Sequence, residues 1–141
     1  MLEQAQQQLA IATRGRGFTD LTAMVGDWLA SIGAADGLLT IFVAHTSASL
    51  TIQENADPDV LRDLRDALDT LAPRSRSYRH NAEGADDMPA HIASMLTATS
   101  LGVPVVGGTA ALGTWQAIYL IEHRELSRTR RVALHYVGTR S

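Results

Sequence analysis

The sequence lacks cysteine altogether, and its 141 residues include only two phenylalanines and two tryptophans. Without thiols the chain can form no disulfide, no thiolate nucleophile, no iron–sulfur cluster and no zinc finger. Any metal ion must therefore be held by histidine, carboxylate, amide or water ligands. No apolar run approaches the roughly 20 residues that cross a bilayer, and no charged-then-apolar leader opens the chain. We therefore expect a soluble, cytoplasmic protein without a membrane partner.

The sequence also lacks an excess of positive charge, because it contains 12 basic and 15 acidic residues and its formal net charge is -3. Sequence-independent binding of nucleic acid needs a positive field, so we expect no nucleic-acid partner. The glycine patterns of P-loops, Rossmann folds and serine-hydrolase elbows are absent as well. The length and a hydrophobic share of 45% predict one domain that spans residues 1–141.

Hydrophobic periodicity predicts three helices and five strands. Apolar residues recur at helical spacing over 21–32, 60–71 and roughly 88–99, and Asp57 and Asp87 are predicted caps of the second and third helices. Strands are predicted over 37–44, covered on both faces, and over 49–54, with Leu50 inward and Ser49 outward. Two more are predicted over 115–122 and 130–137, and the first residues form an edge strand. The polar stretch 73–87 predicts a long loop of the kind that is functional or disordered.

Three histidines stand in polar surroundings. His45 opens the stretch HTSASLTIQEN, His80 lies in the polar loop, and His91 lies one turn into the third helix. Imidazole and carboxylate groups suit a divalent metal, and a carboxylate at Asp87 can fix the tautomer of His91. We therefore predict that the three histidines are metal ligands, with Glu83 nearby.

Each of these assignments has an alternative. The spacing from His80 to His91 matches no compact metal motif. His91 also borders an apolar line on its helix and can be a histidine at the edge of the core. Asp86 and Asp87 can serve as helix caps.

Arginine supplies most of the positive charge and is concentrated in polar segments. Arg79 follows two other arginines in the loop, and Arg124 begins a second group near the end of the chain. Guanidinium groups grip phosphate or carboxylate in a bidentate way, although arginine on a surface can simply solubilise it. Trp115, after the glycines of GGTAALGTWQ, can line a site or fill the core, and the core is favoured.

Four stretches together resemble the YjbQ-like family over nearly the whole chain. They are HTSASLTIQENADPDV (45–60), YRHNAEGADDMPAHI (78–92), ATSLGVPVVGGTAALGTWQAIYLIEHR (98–124) and the closing RRVALHYVG. The resemblance implies an α+β fold, with antiparallel sheets in a sandwich-like arrangement flanked by about three helices. It also implies a homotrimer with sites near subunit boundaries, and a secondary thiamine-phosphate synthase activity.

Together, the residues and the resemblance predict a transferase that joins an aminopyrimidine methyl diphosphate to a thiazole phosphate and releases pyrophosphate. The predicted substrate is a small phosphorylated molecule, and the predicted cofactor is a divalent metal ion such as Zn, Mg or Mn. The alternatives are a metal-dependent phosphohydrolase and a non-catalytic trimer that binds metal or anions. The predicted metal ligands are His45, His80 and His91; the predicted catalytic residues are His80, Glu83, Asp86 and Arg124; the predicted substrate or anion contacts are Ser47, Asn55, Arg79, Asp87, Trp115, Gln116 and Glu122.

Overall fold

The computed structural model describes residues 1–141 and contains eight strands and three helices. The strands are β1 (Glu3–Thr13), β2 (Gly17–Asp20), β3 (Ala34–Val43), β4 (Ala48–Glu54), β5 (Ser100–Val106), β6 (Thr109–Ala110), β7 (Gln116–Glu122) and β8 (Arg128–Arg140). The helices are α1 (Thr22–Ser31), α2 (Pro58–Leu71) and α3 (Asp87–Leu96). No helix has both the length and the apolar character that spanning a membrane requires.

The strands form two antiparallel sheets, which confirms the predicted α+β class. One sheet has the order β1-β8-β3-β5-β6, and the other has the order β2-β7-β4. The main core contains 17 buried residues from both sheets and from α1, including Leu29 of the helix, Leu39 of β3 and Leu120 of β7. The edge position predicted for the first strand is also confirmed, because β1 pairs only with β8.

The predicted starts and ends of the helices follow local chemistry. Asp57 caps α2 by accepting a hydrogen bond from the N–H of Asp59, and Pro58 occupies the first turn, where its missing N–H costs nothing. Gly33 ends α1 with a φ of 67°, a conformation that glycine adopts readily. The three helices therefore lie close to where the apolar periodicity placed them.

Two predictions about strand faces were wrong. The strand predicted to be covered on both faces is exposed on one, where Leu38 and Phe42 of β3 are 49% and 45% exposed, because no helix packs on the outer face of the five-stranded sheet. Ser49 was predicted to face outward and is instead completely buried. It is covered because α3 packs along β4, where Ser94 of the helix donates a hydrogen bond to the carbonyl oxygen of Ala48.

We predict opposite effects for two glycine-to-alanine changes. Gly37→Ala should destabilise the fold by about 1–3 kcal/mol, because a Cβ there would lie 2.6 Å from the Cα of Gly138 on the neighbouring strand. Gly26→Ala should stabilise it by about 0.5–1 kcal/mol, because the position is an exposed helix interior with open space around it. Urea denaturation of both variants measures the two changes. A stabilised Gly37→Ala variant would contradict the close strand contact.

Candidate functional site

Three consecutive residues at and just after the end of β7, Glu122, His123 and Arg124, each belong to a different polar cluster. Strand alternation sends Glu122 towards the space between the sheets and His123 to the opposite face. Arg124 follows in the turn and reaches the N-terminus of α3. The sequence run Glu-His-Arg therefore connects three polar clusters.

The histidine cluster, which consists of His80, Asp87 and His91, has metal-ligand chemistry. One ligand atom from each residue lies within 4.8 Å of the other two. The Oδ2 atom of Asp87 is 2.6 Å from Nε2 of His80 and 3.1 Å from Nε2 of His91. Glu83 brings a second carboxylate within 3.1 Å of His80. Two imidazoles and two carboxylates thus converge at the start of α3.

Local structure explains this convergence. Asp87 and His91 are four residues apart in α3, so their side chains share one face of the helix. Asp87 is in the first turn and does not cap the helix, which corrects one alternative, because its carboxylate is turned towards the two histidines. His91 Nδ1 lies 3.0 Å from the carbonyl oxygen of Thr46, to which it can donate its proton. That tautomer leaves Nε2 of His91 available as a ligand atom.

Arg124 holds the acidic residues of this region in place. Its Nε donates to Asp86 at 3.0 Å, its Nη1 donates to Asp87 at 2.6 Å, and its Nη2 donates to the carbonyl oxygen of Glu83. Asp86 also accepts a hydrogen bond from the backbone N–H of Glu125. Arg124 therefore uses three donor groups within the chain.

The carboxylates of Asp86 and Asp87 stay ionised. Burial raises the pKa of Asp86, but the N–H of Glu125 and the guanidinium of Arg124 outweigh it and leave the pKa below its usual value. Burial likewise raises the pKa of Asp87, and the hydrogen bond to His80 and the charges of His91 and Arg124 bring it below normal. The same bond to Asp87 raises the pKa of His80. A cation can therefore compete with the imidazole protons for this cluster.

A buried ion pair forms the second cluster, between the two sheets. Arg130 donates from Nε to Oε1 of Glu122 at 2.7 Å and from Nη2 to Oε2 at 2.5 Å. Thr13 donates to the same carboxylate, and Arg130 also donates to the hydroxyl of Ser47 at 2.9 Å. Burial raises the pKa of Glu122, but the hydrogen bonds from Arg130 and Thr13 lower it by more, so the pKa lies below its usual value. Glu122 and Ser47, predicted as substrate contacts, are thus largely satisfied inside the protein.

His45 belongs to this second cluster and not to the histidine cluster. Its Nε2 accepts the backbone N–H of Arg131 at 2.8 Å, and its Nδ1 lies 3.3 Å from the guanidinium of Arg130. Burial and the charge of Arg130 lower the pKa of His45. Its ring borders the same surface hollow as His91, but the nitrogen lone pair is occupied by the backbone. Metal ligation by His45 stays a prediction, because in this conformation its Nε2 is bonded to the backbone of Arg131.

The third cluster was missed by sequence reasoning. His123 is 6% exposed, and its Nε2 lies 2.7 Å from Oγ of Ser49, which in turn accepts a hydrogen bond from Thr97 at 2.6 Å. Burial lowers the pKa of His123 to about 4, so the ring is neutral at physiological pH. The sequence signal that could have revealed this cluster is the alternation of side chains at the end of β7, which places Glu122 and His123 on opposite faces of the sheet.

We predict that His123 makes the fold sensitive to acid. The unfolded chain binds a proton to this ring below a pKa of 6.5, whereas the folded chain does so only below about 4. Its stabilising contribution is therefore complete above pH 6.5 and is lost as the pH falls towards 4, by up to about 3 kcal/mol. Urea denaturation between about pH 7 and about pH 4.5 should show a shallower pH dependence in His123→Asn than in the wild type. His135→Asn, on the outer face of β8, is the control and should keep the wild-type slope.

Three residues predicted to contact the substrate, Asn55, Trp115 and Gln116, lie at the other end of the three-stranded sheet. The register pairs Ala48 with Glu122 at one end and Glu54 with Gln116 at the other, about 20 Å away. Asn55 donates its backbone N–H to the carbonyl of Trp115, and the Trp115 side chain belongs to a residue that is 63% exposed. The core role favoured for Trp115 was therefore wrong. Within the chain, Asn55, Trp115 and Gln116 do not meet the histidine cluster.

Arg79, the remaining predicted anion contact, immediately precedes His80 in the loop. It is exposed, and its guanidinium makes no hydrogen bond or ion pair. Arg79 therefore places an unpaired positive charge in the loop that carries His80.

Comparison with known families identifies the chain. The sequence profile of the UPF0047 protein YjbQ-like family matches residues 7–139. The chain belongs to the YjbQ-like family. Among its relatives, a UPF0047 protein of Synechocystis is 49% identical over 136 residues, covering 96% of this chain and 92% of the relative. The UPF0047 protein YjbQ of Escherichia coli O157:H7 is 42% identical over 128 residues, covering 90% and 93%.

Solved structures of YjbQ-like proteins have the same fold. An uncharacterised conserved protein of the YjbQ/UPF0047 family from Clostridium acetobutylicum superposes with a TM-score of 0.85 at 34% identity, covering 92% of this chain and 98% of that one. A YbjQ-like protein of unknown function from Sulfolobus solfataricus has a TM-score of 0.91 at 24% identity, covering 99% and 100%, which shows the fold alone. The family is one of uncharacterised proteins, and family membership does not assign a reaction.

Proposed function

We propose that this YjbQ-like protein is a metal-assisted transferase of the thiamine-phosphate synthase type. The observation that carries the proposal is the convergence of one ligand atom each from His80, Asp87 and His91 within 4.8 Å. This set of nitrogen and carboxylate donors suits Zn²⁺ or Mn²⁺, and with its carboxylates also Mg²⁺. A divalent ion held there would neutralise charge that develops on a departing pyrophosphate.

The chain's own residues have separate tasks in this proposal. His80, His91 and Asp87 would hold the ion. Arg124 is a positioning residue, because its N–H groups fix Asp87 and Asp86. Arg79, which precedes His80 in the loop and whose guanidinium is unpaired, would bind the phosphate oxygens.

The direct test combines purified protein, the aminopyrimidine methyl diphosphate, the thiazole phosphate and each of Mg²⁺, Mn²⁺ and Zn²⁺. We expect release of pyrophosphate with the wild type and at least about a hundredfold slower release with His80→Ala. His135→Ala, which removes a histidine from the outer face of β8, should react as the wild type does. Equal turnover by the wild type and His80→Ala would end the synthase proposal.

A phosphohydrolase is the second candidate, because the cluster is open to water. The side chains of His80 and His91 are 46% and 32% exposed, so a water molecule can reach a bound ion and a bound phosphate. Release of phosphate from a panel of phosphoesters, without any second substrate, would favour hydrolysis. Metal binding without turnover in either assay would favour a non-catalytic binding protein.

We also propose that the active form is a homotrimer with sites shared between subunits. A ring of three copies needs two different surface patches that meet head to tail. The exposed end with Asn55, Trp115 and Gln116 is one patch, and the histidine cluster, beyond the opposite end of β7, is the other. Light scattering tests the trimer itself.

Complementation tests the sharing of sites. His80→Ala and Trp115→Ala should each be inactive alone, because each loses one half of every site. Mixing the two after unfolding and refolding should restore about a quarter of the wild-type activity, since one site in four then joins two intact halves. Mixtures with no more activity than the separate variants would place both halves in one subunit or remove Trp115 from the site.

A further inference from the structure

A cleft of about 360 Å³ lies between α2 and α3, away from the ligand atoms of the histidine cluster. One wall consists of small apolar residues, Ala72 at the end of α2 and Pro89, Ala90 and Ala93 of α3, all of them buried, while most of the remaining lining is polar or charged and includes Asp86. Its volume lies within the range of small-molecule sites, roughly 300–1,000 Å³. Of the predicted site residues, only Asp86 lines this space.

A buried imidazole with one unused nitrogen, that of His123, lines the cleft. Nε2 of His123 is bonded to Ser49, and the Ser49–Thr97 contact fixes the orientation of the ring. Nδ1 of His123 makes no hydrogen bond within the chain. Every fully buried side-chain nitrogen or oxygen of the protein has a hydrogen-bond partner, so Nδ1 is not fully buried. His123 lines both this cleft and a much smaller hollow beside Phe18. A neutral ring in this position can exchange one hydrogen bond with a polar group of a ligand.

Two arginines stand at the rim, each paired with an exposed carboxylate. Arg16 pairs with Asp69, and Arg74 pairs with Glu125. The two carboxylate side chains are 47% and 43% exposed, and such ion pairs contribute little stability. A ligand carboxylate can therefore replace one of them at small cost. Arg74 is the better partner, because its side chain is 49% exposed and that of Arg16 only 23%.

We propose that the cleft between α2 and α3 is a second binding site, which takes a small organic carboxylate that carries a hydroxyl group. The carboxylate binds Arg74, the apolar body lies between Ala72 and Ala90, and the hydroxyl meets Nδ1 of His123. Inorganic phosphate does not fit this description, because it leaves the apolar wall uncovered. The cleft contains none of the three proposed metal ligands, and it shares only Asp86 with the predicted catalytic residues.

The test uses metal-free, isotope-labelled full-length protein and 4-hydroxybenzoate, observed by NMR. We expect saturable shifts of the methyl groups of Ala90 and Ala93 and of the His123 ring signals. Replacing the probe by 4-hydroxybenzyl alcohol, which lacks the carboxylate, should weaken binding about tenfold or more. Arg74→Gln should weaken 4-hydroxybenzoate binding to the same extent. Arg76→Gln changes an arginine of the same loop that lies outside the cleft, and it should bind as the wild type does.

Several outcomes overturn the proposal. They are the absence of saturable shifts, equal affinity for the acid and the alcohol, unchanged affinity in Arg74→Gln, and shifts confined to residues outside the cleft. Arg74 is on the surface, so its replacement leaves the fold intact and the comparison stays informative.

Discussion

Arg130→Met should destabilise the protein by about 3–5 kcal/mol at neutral pH. The side chains of Arg130 and Glu122 are 4% and 1% exposed, so removal of the guanidinium leaves a carboxylate buried without a counter-charge. Thr13 and one backbone N–H still bond to that carboxylate, but they cannot neutralise it. Urea denaturation at a fixed protein concentration measures the loss. The loss should shrink at lower pH, because the stranded carboxylate of Glu122 then takes up a proton.

The neighbouring residue on the same strand provides the control. Arg131 is exposed, and only its backbone N–H takes part in the cluster, so Arg131→Met should change the stability by no more than about 0.5 kcal/mol. The double variant Glu122→Gln with Arg130→Met should lose less than the sum of the single variants, because the pair is lost together. Equal losses in Arg130→Met and Arg131→Met would show that the buried pair has no special role.

Asp87→Asn should lower the affinity for Zn²⁺ and Mn²⁺ by about a hundredfold or more. The substitution keeps the shape of the side chain but removes the negative charge that faces both His80 and His91. It also removes the charged partner of Arg124 Nη1. Isothermal titration of the metal-free protein measures the affinity, and the near-ultraviolet circular dichroism spectrum reports whether the fold is retained.

Asp86→Asn is the matched comparison for this experiment. Asp86 precedes Asp87 and bonds to the same arginine, but none of its atoms belongs to the cluster of ligand atoms. Its replacement acts only through the position of Arg124, and we expect a loss of about tenfold. The proposed role of Asp87 as a ligand fails if the two variants lose the same affinity.

Much of the fold was predictable because its causes are local. The apolar periodicity of α1 and α2, the cap at Asp57 and the glycine after α1 each depend on residues a few positions apart. The exposure of Phe42 on β3 was not predictable, since an apolar run does not reveal whether anything covers its second face. Ser49 shows the converse case, because only the packing of α3 buries it.

In the candidate site, too, the local features were predictable from the sequence and the long-range ones were not. Asp87 and His91 share a helix face by their spacing, and the polar loop brings His80 to the same point. The position of His45 depends on the pairing of distant strands, which brings the backbone of Arg131 to its ring and removes it from the histidine cluster. The separation of Trp115 from that cluster likewise depends on the register of β4 and β7, which sequence spacing does not contain.

The central claim is that His80, Asp87 and His91 together form one divalent metal site. The most direct test is anomalous diffraction at the zinc absorption edge from crystals grown with Zn²⁺. We predict one strong peak about 2.0–2.2 Å from Nε2 of His80, from Nε2 of His91 and from a carboxylate oxygen of Asp87. A peak bound instead to His45 or His135, or no peak at the start of α3, would contradict the account.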